Sequence, residues 1–389
     1  MNNGEPIERY LIGIMSGTSA DGINVAIVRE AGAELIHFSE QPMPPELREP
    51  ILRLAEPGIG EIDAMGSLHR ALGEAFANAV LSAISDAGIS RCEVLAIGSH
   101  GQTIRHRPGG YKGGKPFTLQ IGCAATIAEM TGITTVSDFR SGDIAAGGEG
   151  APLVPFAHHA LVGNPEHPQA VLNIGGIANI TWLHHETIIG FDTGPGNMLM
   201  DALMLAISDG RHACDIDGDL AASGSVCDPL VHELLTHPFL KRTPPKSTGR
   251  EAFGREVTEK ILAWPEISDA DRMATACEFT ARSIADAARF LPQPPETWHV
   301  CGGGAYNLHL MQRLQALLQP ASVRSTADMN ILPESMEAIC FALLARETLL
   351  GRPNTVPAVT GAQHAVSAGQ ITAGDNWPDV VAWIHSLTH

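Results

Sequence analysis

Four glycine-rich turns, each set against an apolar run, constrain this chain more than any other feature. They are Ser16-Gly17-Thr18-Ser19-Ala20-Asp21-Gly22 behind YLIGIM, then NIGGIAN at 173–179, FDTGPGN at 191–197 and CGGGAYN at 301–307. Glycine lets a backbone come close to an anion, and a strand-end turn presents its N–H groups outward. One such turn is most often an ordinary hairpin connection. Four of them at strand ends are what a cleft built to grip a nucleotide from both sides requires.

The surrounding grammar is that of an α/β protein. Tyr10 to Val28 reads strand, turn, strand, and Leu68, Leu72, Phe76, Val80 and Ile84 recur at helical spacing up to Gly88, a C-terminal cap. A strand at 94–98 follows and runs into the polar SHGQT. The second half repeats hairpin, helix and strand in other letters: AVLNIGGIANITWL at 170–183, a helix after Asn197, a second helix in TACEFTARSIADAARFL ended by Pro292, and HVC leading into the glycines at 302. A chain of 389 residues exceeds one ordinary core. Two related domains facing across a cleft are expected, the first over 1–130 plus about 355–389 and the second over 131–354.

Bulk properties narrow the partners. A formal net charge of −18 with no Lys/Arg run argues against nucleic acid. The seven cysteines are widely spaced and never paired as Cys-x-x-Cys, so reduced thiols are expected. Seventeen histidines include no His-Glu-x-x-His, and a dedicated metal site is not implied. The start MNNGEPIERY lacks the basic and apolar regions of a signal peptide, and no apolar run approaches a membrane span. A cytoplasmic location without membrane contact is expected, and a homodimer is left open.

Among the carboxylates, Asp192 stands out, directly behind Ile188-Ile189-Gly190-Phe191 and before Thr193-Gly194-Pro195-Gly196. An acid there can act as a general base, or it can cap the turn, and the residues alone leave both readings open. Asp138, Arg140 and Asp143 sit in the glycine-rich segment 136–155, and Lys246 and Arg250 in PPKSTGRE. They suit either an anionic, hydroxyl-rich substrate such as a carboxylated sugar or structural ion pairs.

The strings GIMSGTSADGINVAIV, SHGQT, SDFRSGDIAAGGEGAPLVP, LNIGGIANIT, GFDTGPGNMLMDA, PPKSTGREAFG and CGGGAYN stand in one order and spacing along the chain. In these the sequence resembles the anhydro-N-acetylmuramic acid kinase family over essentially its whole length. The resemblance implies two ribonuclease-H-like domains of the actin-like ATPase superfamily facing across a hinged cleft, with ATP and Mg²⁺ between them. It implies an ATP site at Gly17, Thr18, Ser19, Ala20, Asp21, Gly22, Ile23 and Asn24, with Gly175 and Gly176 on the phosphates, Gly302, Gly303, Gly304 and Asn307 by the adenosine, and Mg²⁺ near Asp21. Asp192 would be the base, and Glu337, with Asp138 and Arg140, would contact the sugar. Asn24 departs from the family's usual Asp and brings no negative charge. The implied reaction opens the 1,6-anhydro ring and phosphorylates O6, giving N-acetylmuramic acid 6-phosphate in peptidoglycan recycling. Three rivals are distinguishable: a simple sugar or acetate kinase acts on a free hydroxyl, an actin-like filament protein sediments with nucleotide, and a carbohydrate-binding module leaves the glycine turns without a use.

Overall fold

The computed structural model describes residues 8–55, 58, 60–163 and 166–388, with the side chains of Arg250, Glu251 and Thr388 also outside the description. The start of the chain read above for a signal peptide thus lies mostly outside the described residues. The chain forms two compact units, Met1–Ala157 with Ser335–His389, and His158–Glu334.

In the first unit, β1 (Tyr10–Met15), β2 (Gly22–Arg29) and β3 (Leu35–Pro42) form an antiparallel meander. Then β4 (Val94–Ser99) returns parallel to β1, a hairpin of β5 (Gln102–Arg107) and β6 (Phe117–Ile121) follows, and β7 (Thr135–Ser137) lies parallel to β4. Late in the chain, β13 (Gln370–Thr372) closes the edge, giving the order β13-β7-β4-β1-β2-β3. On one face Ile12, Ile14, Val25 and Ile27 pack with Leu68, Leu72, Phe76, Val80 and Ile84 of the helix Glu61–Asp86, as the helical spacing predicts. On the other face the helix Met336–Leu349 lies so close that a Cβ on Gly13 would fall 1.7 Å from the Ala338 carbonyl oxygen, and one on Gly98 2.1 Å from that of Phe341. Both strands carry glycine there because the helix backbone occupies the space a side chain needs.

In the second unit, β8 (Gln169–Ile174), β9 (Ile177–His184) and β10 (Thr187–Pro195) form the meander, and β11 (Thr297–Cys301) and β12 (Ser322–Ser325) continue in parallel. The order is β10-β9-β8-β11-β12. It repeats β3-β2-β1-β4-β7 of the first sheet strand for strand, which bears out the two-copy reading. The core gathers Leu172, Ile180 and Trp298 of the sheet with Phe279 and Ile284 of the helix Asp269–Ala287, which a 3₁₀ turn ends before Pro292.

Residues 131–157 and 335–354 pack in the first unit rather than in the second, where the sequence reading put them. β7 needs β4 as its partner, and the helix Met336–Leu349 covers β1 and β4. Among the described residues, which include all seven cysteines, no disulfide forms. Among the described residues no helix is long and apolar enough to cross a membrane.

Candidate functional site

The turn between β1 and β2 is held from behind. Ser16 Oγ donates to the Gly22 carbonyl at 3.0 Å and to Gln102 Oε1 at 2.8 Å, and Gln102 Nε2 donates to the Gly17 carbonyl at 3.0 Å. Ser16 and Gln102 are both buried, so two unexposed polar groups fix the turn while Gly17 and Ser19 remain partly open. Ala20 takes a left-handed φ of 52° and closes the turn by donating from its N–H to the Gly17 carbonyl at 3.1 Å. Asp21 is exposed and pairs with Arg48 at 2.9 Å. Asn24 lies opposite Glu40 of β3.

Arg140, Asp138 and Glu337 also belong to the first unit. Arg140 donates to His100 Nε2 from Nη2 at 2.9 Å and to the Gly150 carbonyl at 2.8 Å. Burial lowers its pKa to about 10 against the nearby charges of Glu337 and Asp143, so it stays cationic at neutral pH. Asp138, at a left-handed φ of 54°, accepts from the Ser141 N–H at 3.3 Å and from Gln370 Nε2 at 2.9 Å. Asp143 is buried and structural: it accepts from the Gly150 N–H at 2.8 Å and from Thr360 Oγ1 at 2.7 Å.

In the second unit three glycine turns meet. Gly175 and Gly176, between β8 and β9, offer their carbonyls to the N–H groups of Asn197 at 2.8 Å and Gly196 at 2.9 Å, at the start of the helix Asn197–Ile207. Gly302 has a φ of 76° and leads into the 3₁₀ turn Gly303–Tyr306. Asn307 then caps the helix Leu308–Leu317 by accepting from the Leu310 N–H at 2.9 Å. A cavity of about 300 Å³ lies beside them, lined in part by Asn197, Asp215, Gly303, Tyr306 and Asn307.

Asp192 stands at a bulge where β10 parts from β9. It is partly exposed, and its Oδ2 accepts from the Thr248 N–H at 2.8 Å while its own N–H donates to the Lys246 carbonyl at 3.1 Å. Lys246 Nζ is buried over Phe290, Phe239 and Phe191, 4.7, 4.8 and 5.7 Å from the ring centroids. Burial and the cations Arg289 and Arg242 pull its pKa down to about 8, with Asp192 opposing. The PPKSTG segment is thus the support of the Asp192 turn. Sequence reading gave SHGQT no residue roles, although its place directly behind β4 matches that of the glycine turns.

Two sheets of one strand order, a meander continued by parallel strands, with glycine turns at the strand ends of each, define an α/β protein of the ribonuclease-H-like, actin-like ATPase class. The family model described as anhydro-N-acetylmuramic acid kinase matches residues 9–374. The anhydro-N-acetylmuramic acid kinase of Coxiella burnetii is 44% identical over 375 residues, covering 96% of this chain and 99% of that protein. That of Shewanella pealeana is 43% identical over 384 residues, covering 96% and 100%. The chain belongs to the anhydro-N-acetylmuramic acid kinase family, and with it to the phosphotransferases. Among solved structures, component A of the (R)-2-hydroxyglutaryl-CoA dehydratase of Acidaminococcus fermentans is 14% identical, with a TM-score of 0.46 over 86% of this chain and 96% of that one.

Proposed function

We propose that this chain is an ATP-dependent kinase that adds water across the 1,6-anhydro bond of anhydro-N-acetylmuramic acid and phosphorylates O6, yielding N-acetylmuramic acid 6-phosphate in the cytoplasmic recycling of peptidoglycan. Membership of the family over residues 9–374 carries the reading, and the geometry of Asp192 supports it. An ionised carboxylate accepts only, and the Thr248 N–H engages one of its oxygens, which orients it as a base toward water.

In this reading the turn Gly17–Gly22, with Ile23 and Asn24 behind it, and Gly175 and Gly176 contact the phosphates of ATP. Gly302, Gly303 and Gly304 lie under the adenosine, and Asn307 holds their turn in place. Asp138, Arg140 and Glu337 contact the sugar. Among the described residues no group of three or more His, Cys, Asp or Glu is set to hold a metal. That suits Mg²⁺, which is commonly bound through one or two carboxylates and the substrate phosphates. Asp21 fits the protein's share, because its exposed pair with Arg48 is of a kind worth at most about 1 kcal/mol and yields easily. Bound there, the ion would neutralise phosphate charge.

Asp192 takes a proton from water, the water oxygen bonds to C1, and the C1–O6 bond breaks. As it leaves C1, O6 bonds to the γ-phosphorus, and ADP departs. An ordinary inverting glycosidase protonates the leaving oxygen with a second carboxylic acid; here the phosphoryl group takes that part. Incubation with ATP, Mg²⁺ and the anhydro sugar tests the reading by product mass. Gain of water plus phosphate is expected, and gain of phosphate alone, or no product, overturns it.

A further inference from the structure

Lys246 is 6% exposed, and its ammonium lies over three phenyl rings without a hydrogen bond or ion pair to any described residue. A buried charge costs free energy unless an opposite charge meets it, and ring faces offset that cost only in part. An apolar side chain would fill the same space without the cost. Packing therefore gives no reason for a lysine here, and its neighbours supply one.

Phe191, 5.7 Å below the ammonium, directly precedes Asp192, and the Asp192 N–H donates to the carbonyl of Lys246 itself. Burial, Arg289 and Arg242 lower the Lys246 pKa to about 8, and Asp192 opposes them. Lys246 is thus a cation at the acid to neutral pH where carboxylates titrate. The interaction of two titrating groups is reciprocal, so Lys246 stabilises the ionised carboxylate of Asp192 as Asp192 stabilises the ammonium.

The other charges nearby do less. Lys241 and Arg242 are exposed, and so is Arg289, which pairs with Asp286 at 3.8 Å; water screens all of them. The helix Asp269–Ala287, packed on β10, also carries Glu278, but Arg282 and Arg313 already share it. From β9 the neutral Asn179 stands opposite Asp192. Both substrates of the proposed reaction are anions, ATP and a sugar with a carboxylate. Negative charge brought to a carboxylate raises its affinity for a proton, and a base already protonated accepts none. We propose that Lys246 is a positioning residue that acts through Asp192: its buried ammonium keeps that carboxylate ionised while both anions are bound. The proposal rests on the kinase reading and on Asp192 as its base.

The test measures kcat of the full chain for anhydro-N-acetylmuramic acid across the acid limb and the plateau of its pH profile, in wild type, Lys246→Met and Lys246→Arg. Loss of the cation should move the acid limb of Lys246→Met up by about one pH unit. On the limb kcat then falls about tenfold, and on the plateau it stays within about twofold of wild type. Lys246→Arg retains the charge and should keep the wild-type limb. A purely structural role lowers kcat by one factor at every pH and leaves the limb in place; that result overturns the proposal, as does the same upward shift in Lys246→Arg. Should Lys246→Met not fold, Lys246→Gln, equally neutral, takes its place under the same criteria. If wild type gives no product, the kinase reading falls, and NMR titration of the ¹³C-labelled Asp192 carboxyl still decides the coupling. A midpoint about one pH unit higher in Lys246→Met than in wild type upholds it; equal midpoints overturn it.

Discussion

Gly17 and Gly302 both stand in strand-end turns, but for different physical reasons. A Cβ on Gly302 would lie 2.4 Å from Asn173 Oδ1, at a φ of 76° that L-residues rarely take, so the fold itself demands glycine. A Cβ on Gly17 would meet nothing nearer than Ser19 Oγ at 3.8 Å, so there the fold makes no such demand. Gly17→Val should therefore weaken ATP binding by about tenfold or more through a blocked approach to phosphate, with the melting temperature nearly unchanged. Calorimetry and a thermal melt read the two quantities separately, and unchanged affinity would move the phosphate site elsewhere. For Asp192→Asn, the side-chain shape and an oxygen for the Thr248 N–H are kept while the base is lost. We expect kcat to fall by about 10²- to 10⁴-fold with ATP and sugar affinity nearly intact, measured by steady-state kinetics and calorimetry. Wild-type kcat in that variant would reject the base assignment. The sequence singles out Asp192 because it follows an apolar run directly. Its support is not singled out, because Thr248 lies 56 residues away and nothing local in PPKSTG names the carboxylate it serves.

Helices and strands were legible wherever one face is apolar, as with Leu68 to Ile84 on the helix Glu61–Asp86. Periodicity is silent about polar groups that join elements. The helix Asp269–Ala287 buries Glu278, 1% exposed, which accepts from Arg282 at 2.7 Å and from Arg313 of the helix Leu308–Leu317 at 2.7 Å. Glu278→Ala would leave two cations facing each other without their shared anion. We expect a loss of about 3 kcal/mol, at the low end for a broken buried pair because both arginines still reach solvent. Burial alone would raise the Glu278 pKa, yet the hydrogen bonds and charges of Arg313 and Arg282 hold it below the usual value. A depressed carboxyl stabilises fully above its unfolded pKa, about 4.3, and loses that contribution as pH falls through the lower folded value. Denaturant melts should therefore show the gap between wild type and variant steady at neutral pH and closing below about pH 4. A gap that persists undiminished at pH 2 would show that charge is not its source.

At the scale of the whole chain, the repeated strand order was legible as a repeated grammar because each copy carries its own turns. The extent of the first unit was not: β7 and the helix Met336–Leu349 join it through partners far off in sequence. The proposed reaction couples ring opening to phosphoryl transfer. O6 of the anhydro sugar is an ether oxygen, so it carries no proton for a base to remove and leaves poorly without an acid. Neither ring opening nor phosphoryl transfer should then run readily alone, and water must attack as O6 is phosphorylated. In ¹⁸O-labelled water the label should appear at C1 of the product and not in the transferred phosphoryl group. Attack opposite the β-face O6 inverts C1, so the first-formed product should be the α-anomer. Mass spectrometry and early-time NMR check both expectations. Label in the phosphoryl group would mean that water attacked phosphorus, as in an ATPase. A first-formed β-anomer would require two inversions, and the carboxylate of Asp192 would then be a nucleophile that forms a glycosyl ester rather than a base that acts on water.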